Sequence, residues 1–199
     1  MRRRFAAIWS GNQATSTLAR VAPAESGSVD TRLLPGTDFT GLGSLEVYFA
    51  VFDPLDDRSH NGLWGFSEHD FALMTRGQQA VFNLNWLRNY MEADTILEYA
   101  DEPGLRAHAH RLVTDAELVG AWPFTAVLAE IAPIVAQEQE APDDSLLDEV
   151  ERLEGAFFAL EEEHGSLWHF LADYIRRTPE EFIQSEATPP GDVLPTEPS

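Results

Sequence analysis

Apolar residues recur at three- and four-residue intervals over most of the chain from Ser44 onward, the period of helices with one buried face. Leu45, Tyr48, Phe49 and Phe52 make the first such face, with Ser44 as its N-cap and Asp53-Pro54 as its end. A short strand over 45–52 is the competing reading. After a loop at His60-Asn61-Gly62, Ser67 is placed to cap a short helix holding Phe71 and Met74. Thr75-Arg76-Gly77-Gln78 has capping-box spacing, and Val81, Leu84, Leu87 and Met91 follow, widened by Phe82 and Trp86. That helix is expected to be buried over more than half its circumference. Glu102-Pro103-Gly104 breaks the chain, Leu105 to Val113 resumes it, and Thr114-Asp115-Ala116-Glu117 offers another capping box. Pro123 and Pro133 are expected to bound a helix carrying Val127, Leu128 and Ile131.

Pro142-Asp143-Asp144 reads as an acidic loop from which Ser145 opens a helix. Leu146, Leu147, Val150, Leu153, Phe157 and Leu160 form one face of it, and Asp148, Glu149, Glu151 and Glu154 the other. Leu167, Trp168, Leu171, Tyr174 and Ile175 form the next helix, with Arg176 and Arg177 in its last turn, where cations suit the helix dipole. Thr178-Pro179-Glu180-Glu181 combines an N-cap, a proline at the first helical position and a capping box, the marks of a further helix start. No internal repeat and no βαβ alternation is visible. The expected fold is therefore all-α (mainly α), a compact multi-helix single domain at 44–186. Before it lies an irregular arm over 1–43, in which Phe5, Ile8 and Trp9 alone look able to dock. After it comes a Pro-rich tail at 187–199, expected to be disordered.

With 199 residues, 44% of them hydrophobic, the chain can bury one sizeable core. Its charge is −21, and all thirteen cationic side chains are arginine. Such charge steers cationic partners and disfavours nucleic acid and anionic membranes. A GC-rich coding background or adaptation to high salt would give the same bias without a function. The lack of cysteine excludes disulfides, thiolate metal sites and a cysteine nucleophile, and is compatible with a reducing, cytoplasmic setting. Met1-Arg2-Arg3-Arg4-Phe5 faintly resembles a twin-arginine signal, but no apolar segment follows it, so export is not expected. No stretch approaches the roughly 18 apolar residues of a membrane span.

Between Glu138 and Glu163 stand eleven carboxylates against a single cation, Arg152: Glu138, Glu140, Asp143, Asp144, Asp148, Glu149, Glu151, Glu154, Glu161, Glu162 and Glu163. As one continuous helix the stretch would run about 39 Å, or roughly one charge per 3.5 Å. A single nucleic-acid strand carries one per about 3.4 Å. These eleven are the candidate partner-binding residues. The expected partner is a basic protein, either a DNA-binding protein or a nuclease, rather than DNA itself; a homodimer stays open. The plainer reading is that they form the wet side of an amphipathic helix.

Little else nominates chemistry. On a helix the histidines of His108-Ala109-His110 point about 200° apart. Glu161-x-x-His164 has the spacing of di-metal carboxylate bundles, but it occurs once where two are needed. Neither G-x-S-x-G nor a phosphate-binding glycine loop is present, and without lysine there is no Schiff-base chemistry. Trp64, Trp86, Trp122 and Trp168 read as core aromatics. No catalytic residue, metal or cofactor is expected, although an enzyme built on scattered carboxylates stays open.

Two segments carry a resemblance. Gln79-Ala80-Val81-Phe82-Asn83-Leu84-Asn85-Trp86 resembles a Q-x-x-[LF]-x-x-x-W helix. Ala159-Leu160-Glu161, with Leu167-Trp168-x-x-Leu171-x-x-Tyr174-Ile175-x-x-x-Pro179-Glu180-Glu181-Phe182, is similar to a segment ending Y-I-x-x-[HN]-P-E-E-F. In this order they resemble the bacterial DNA-mimic-protein-like family, over residues 44 to 186. That family places an asparagine-glycine-glycine-aromatic turn after the tryptophan helix, where this chain has Ala93-Asp94-Thr95-Ile96. A role attached to that turn is therefore not carried over. The resemblance implies an all-helical, acidic domain and, from the family's namesake, occupation of a transcription factor's DNA-binding surface. A rival reading of the same charge is an immunity or antitoxin protein that inhibits a basic nuclease.

Overall fold

The computed structural model describes residues 32–60, 68–137 and 142–184. These form a compact, multi-helix, all-α fold. Its helices are α1 (Ser44–His60), α2 (Glu68–Leu73), α3 (Arg76–Ala93), α4 (Ile96–Asp101), α5 (Pro103–His108), α6 (Leu112–Val119), α7 (Thr125–Val135), α8 (Asp144–His164) and α9 (Leu167–Arg177). Short 3-10 turns stand at Ala109–Arg111, Trp122–Phe124 and Pro179–Glu181.

α3 is the axis of the fold, packed by α1, α4, α6 and α9. Its capping box forms as its spacing predicts: Gln78 N donates to Thr75 Oγ1 at 3.2 Å, and Thr75 N to Gln78 Oε1 at 2.9 Å. Ala80, Val81, Phe82, Leu84 and Leu87 are fully buried, each side chain larger than alanine contributing about 1.5–3 kcal/mol. Stacked rings continue the core sideways, Phe52 lying between Phe82 at 5.9 Å and Tyr48 at 5.3 Å.

Several helix limits differ from the sequence expectation. Asp53-Pro54 does not end α1, which runs on to His60 because Leu55, just past the proline, is buried. The α1 cap lies one residue earlier than expected, where Gly43 N donates to Glu46 Oε2 at 2.7 Å. Its buried face is Val47, Tyr48, Val51, Phe52 and Leu55, and it leaves Leu45 and Phe49 exposed. The box at Thr114 does not form. α6 already begins at Leu112, Thr114 Oγ1 donates back to Arg111 O, and Asp115 is drawn inward. Pro133 lies inside α7 rather than at its end. α8 is capped by Asp143, whose carboxylate accepts from Leu146 N at 2.9 Å, not by Ser145. The expected cap at Ser67 lies outside the described residues.

The helix expected from Thr178 is a single 3-10 turn. Phe182 is buried, and Ile183 forms a parallel β-bridge with Leu33. Glu181 then caps the central helix, accepting from Gly77 N at 2.9 Å while its carbonyl accepts from Thr75 Oγ1. A Cβ on Gly77 would stand 2.9 Å from the Tyr174 hydroxyl, so glycine is what admits this close approach. Residues 32–43 are irregular as expected, but, against the expectation that Phe5, Ile8 and Trp9 alone could dock, they are anchored by the Leu33 bridge and by burial of Phe39. The rest of the arm, including Phe5, Ile8 and Trp9, and the tail at 187–199 lie outside the described residues. Among those described, no helix is long and apolar enough to cross a membrane.

Candidate acidic interface

α8 is 21 residues long, about 31 Å. Val150, Leu153 and Phe157 are buried, and the opposite ridge carries Asp144, Asp148, Glu151, Gly155, Ala159 and Glu162, all exposed. Asp144, Asp148, Glu151 and Glu162 make no hydrogen bond or ion pair among the described residues. The only partner for Glu163 there is His164 at 3.6 Å. The other candidates are used within the fold. Asp143 caps α8. Glu149 holds Arg152 through contacts of 2.8 and 2.7 Å, and Arg152 also reaches Glu130 on α7 at 2.5 Å. The Arg152 hydrogen bond holds the Glu149 carboxyl below its usual range. Glu154 accepts from Ile96 N at 2.7 Å and thereby helps to cap α4.

Glu161 is turned inward. Its carboxylate takes Arg88 in a two-pronged pair at 3.0 and 3.2 Å, and accepts from Leu167 N at 2.9 Å and Ser166 Oγ at 3.0 Å. It is an internal link between α3, α8 and α9, not a surface acid. Glu138 and Glu140 lie outside the described residues. The exposed carboxylates therefore fall at about one per 6 Å of helix, in two groups. Gly155 and Ala159 fill the interval of about 16 Å between Glu151 and Glu162.

A neighbouring element adds charge that linear spacing did not show. Glu154 joins α8 to the start of α4, near Asp94, while Glu98 on α4 stands near Asp94 and Asp101. Glu98 has its pKa raised by burial and then by the Asp94 and Asp101 carboxylates; Glu154 has its pKa raised by burial and, more weakly, by Asp94 and Glu151. Tyr90 is pushed up to about 12 by burial and by Glu102, Glu98 and Asp101. Burial is the largest cause of each shift, and the neighbouring carboxylates of α4 and α8 add to it. A carboxyl whose folded pKa is raised favours the folded state as pH falls through that pKa, and loses this contribution as pH rises above it. Glu154→Gln is therefore expected to flatten the rise in melting temperature as the pH is lowered from neutrality toward that raised pKa. An unchanged slope in a thermal-melt series would refute the raised pKa of Glu154.

A second concentration of charge is internal. Asp115 is wholly buried: Asn83 Nδ2 donates to its Oδ2 at 2.7 Å, Arg76 approaches its Oδ1 at 2.5 Å, out of line for a hydrogen bond, and Arg111 stands 3.8 Å away. The buried Tyr99 hydroxyl faces Asn83 Oδ1 at 2.5 Å, and burial followed by the Asp115 charge pushes its pKa up. This packed network holds α3, α4 and α6 together.

The remaining sequence candidates are separate. His108 stacks on Phe71 at 4.1 Å, while His110 Nδ1 lies 2.9 Å from Ala107 O. Glu161 and His164 do not converge. Among the described residues no group of three or more His, Asp or Glu side chains is placed to hold a metal. Trp86 and Trp168 pack against the core, but Trp122 is 62% exposed, because its 3-10 turn sends Phe124 inward instead. Trp64 lies outside the described residues. Comparison with protein-family models, curated proteins and solved structures finds no match for this chain.

Proposed function

We propose that this chain is a non-enzymatic acidic binding protein that presents the carboxylates of α8, continued by those of α4, to the basic surface of a DNA-binding protein. The observation that carries the reading is the ridge of Asp144, Asp148 and Glu151, exposed and without ion-pair partners among the described residues. Exposed, unspent carboxylates accept charge-assisted hydrogen bonds from Arg and Lys where phosphates would otherwise sit, so the mechanism is competition with DNA. The resemblance to the DNA-mimic-protein-like family supports the same reading.

Complex formation is expected to weaken steeply with salt. Reversing Asp144, Asp148 and Glu151 together to arginine is expected to lower partner affinity on the order of a hundredfold, three charge-assisted contacts being removed and three repulsions added. The test is capture from host lysate at low salt, stepwise salt elution and identification of what elutes, followed by direct titration with the triple variant. A salt-sensitive basic DNA-binding protein supports mimicry, and a nuclease would move the reading to an immunity protein. A complex insensitive to both salt and charge reversal would sink the electrostatic mechanism.

A further inference from the structure

Helix α7 is apolar on its outer side as well as on its inner one. Val127, Leu128, Ile131 and Val135 are buried, while Ala126, Ala129 and Pro133 stand exposed on the opposite side. Trp122, in the 3-10 turn that runs straight into the helix, is 62% exposed. Ala136, the C-cap, keeps right-handed helical dihedrals and is exposed too. Positions 122, 126, 129, 133 and 136 follow intervals of four, three, four and three, the seam by which one helix packs along another. A helix that is apolar all round is ordinarily covered. From Leu118 to Gln137 the sequence holds one charged residue, Glu130, on a chain of −21. Arg152 Nη2 meets Glu130 Oε2 at 2.5 Å, so the acid beside the middle of the seam is neutralised by the single arginine of α8.

We propose that this face of α7 joins two copies of the chain, antiparallel about a two-fold axis at Ala129. Charge selects the occupant. A chain of −21 repels its own copy through its carboxylates, and α7 offers a face whose one acid is already paired. A basic partner would find no free carboxylate there. Shape fits the same arrangement: Trp122 and Ala136 lie seven residues to either side of Ala129, so the bulky end of each seam falls on the small end of the other, and Ala126 falls on Pro133 of the second copy. Alanine at the axis lets the helices approach to about 8 Å. The seam is about 22 Å long. One helix on one helix lies at the small end of specific interfaces, so the dimer is weak, with a Kd of micromolar order. Repulsion between the copies sets its salt dependence: the Debye length falls from about 10 Å at 0.1 M to about 3 Å at 1 M, and association strengthens as salt rises. That is the reverse of binding by α8 to a basic surface. The pairing uses none of Asp144, Asp148 and Glu151 and does not rest on the reading of α8.

Sedimentation velocity of the full-length chain from about 1 to about 200 μM reads the dimer directly. Raising sodium chloride from about 0.1 to about 1 M is expected to lower the Kd at least about tenfold. Ala129→Glu, an exposed change that sets two acids against each other at the axis, should raise the Kd at least about tenfold. Arg152→Ala, which frees Glu130, should raise it by a smaller factor and chiefly at low salt. Thermal melts of both variants show whether they are folded. The chain has no cysteine, so Ala129→Cys introduces a single thiol that should crosslink to its own copy on mild oxidation, whereas Asp148→Cys on α8 should not. A monomer at every concentration and salt, as when the chain's own residues cover the face, would overturn the proposal. So would a dimer that weakens with salt, one that Ala129→Glu leaves intact, or crosslinking of Asp148→Cys as fast as that of Ala129→Cys.

Discussion

Asp115→Ala is expected to destabilise the fold by about 3–5 kcal/mol, the cost of removing one partner from a buried charge network. The substitution would leave Asn83 Nδ2 without its closest acceptor and set Arg76 against Arg111 with no anion between them. For a domain of this size the melting temperature should fall by about 10 °C. Overall charge works in the opposite direction, because neutralising any acid relieves repulsion in a chain of −21. Asp148→Ala, which removes an exposed acid with no partner among the described residues, should therefore change stability by no more than about 0.5 kcal/mol or raise it slightly. Urea unfolding of the two variants side by side checks the contrast. Equal effects would mean that Asp115 is merely one charge among many, and the network described above would lose its structural role.

The second large effect is expected at Arg88. Its guanidinium lies 3.7 Å from the centre of the Trp168 ring, pairs with both oxygens of Glu161 and bonds Glu92 on the next turn of α3. Burial works against its charge, yet the bonds from Glu161 and Glu92 outweigh this and raise its pKa. Arg88→Ala should cost about 3–5 kcal/mol, since Glu161 would stay buried with Leu167 N and Ser166 Oγ as its remaining partners. Arg88→Lys should recover little, because an ammonium cannot make the paired bonds or stack on the indole. A double-mutant cycle with Glu161→Gln is expected to return a coupling above about 1 kcal/mol. Near-additivity in that cycle would separate the two residues energetically. The pair also matters for function: Glu161→Gln should lower the melting temperature while leaving partner affinity per folded molecule unchanged, unlike reversal of the exposed acids.

The features that the sequence made legible are those decided by neighbours within a turn. The Thr75 box, the apolar stripe of α3 and the all-α class each follow from residues three or four apart. What the sequence did not show depends on long-range partners. Thr114 has the same local signals as Thr75, but Asn83 and Arg76 draw Asp115 inward, and the helix starts earlier. Pro179 begins a helix on local grounds, but burial of Phe182 and the pairing of Ile183 with Leu33 extend the chain after one turn. The acidic stretch was legible as composition and not as surface: Glu161 and Glu154 look like Glu162 and Glu151 until α3 and α4 are brought against them. The carboxylates around α4 did not stand out in the sequence, because only tertiary packing brings α4 to α8.

The parallel bridge between Leu33 and Ile183 bears on how the molecule would resist being stretched. Leu33 N donates to Phe182 O at 2.7 Å, and Gln184 N donates to Leu33 O at 2.9 Å. Because the paired segments run in the same direction, tension applied between residues 32 and 184 slides them past one another. Both hydrogen bonds are then loaded together instead of opening in succession, and the buried ring of Phe182 precedes the bridge by one residue. The fold thus closes on a small mechanical clamp, placed where a pull on the chain's two exits arrives first.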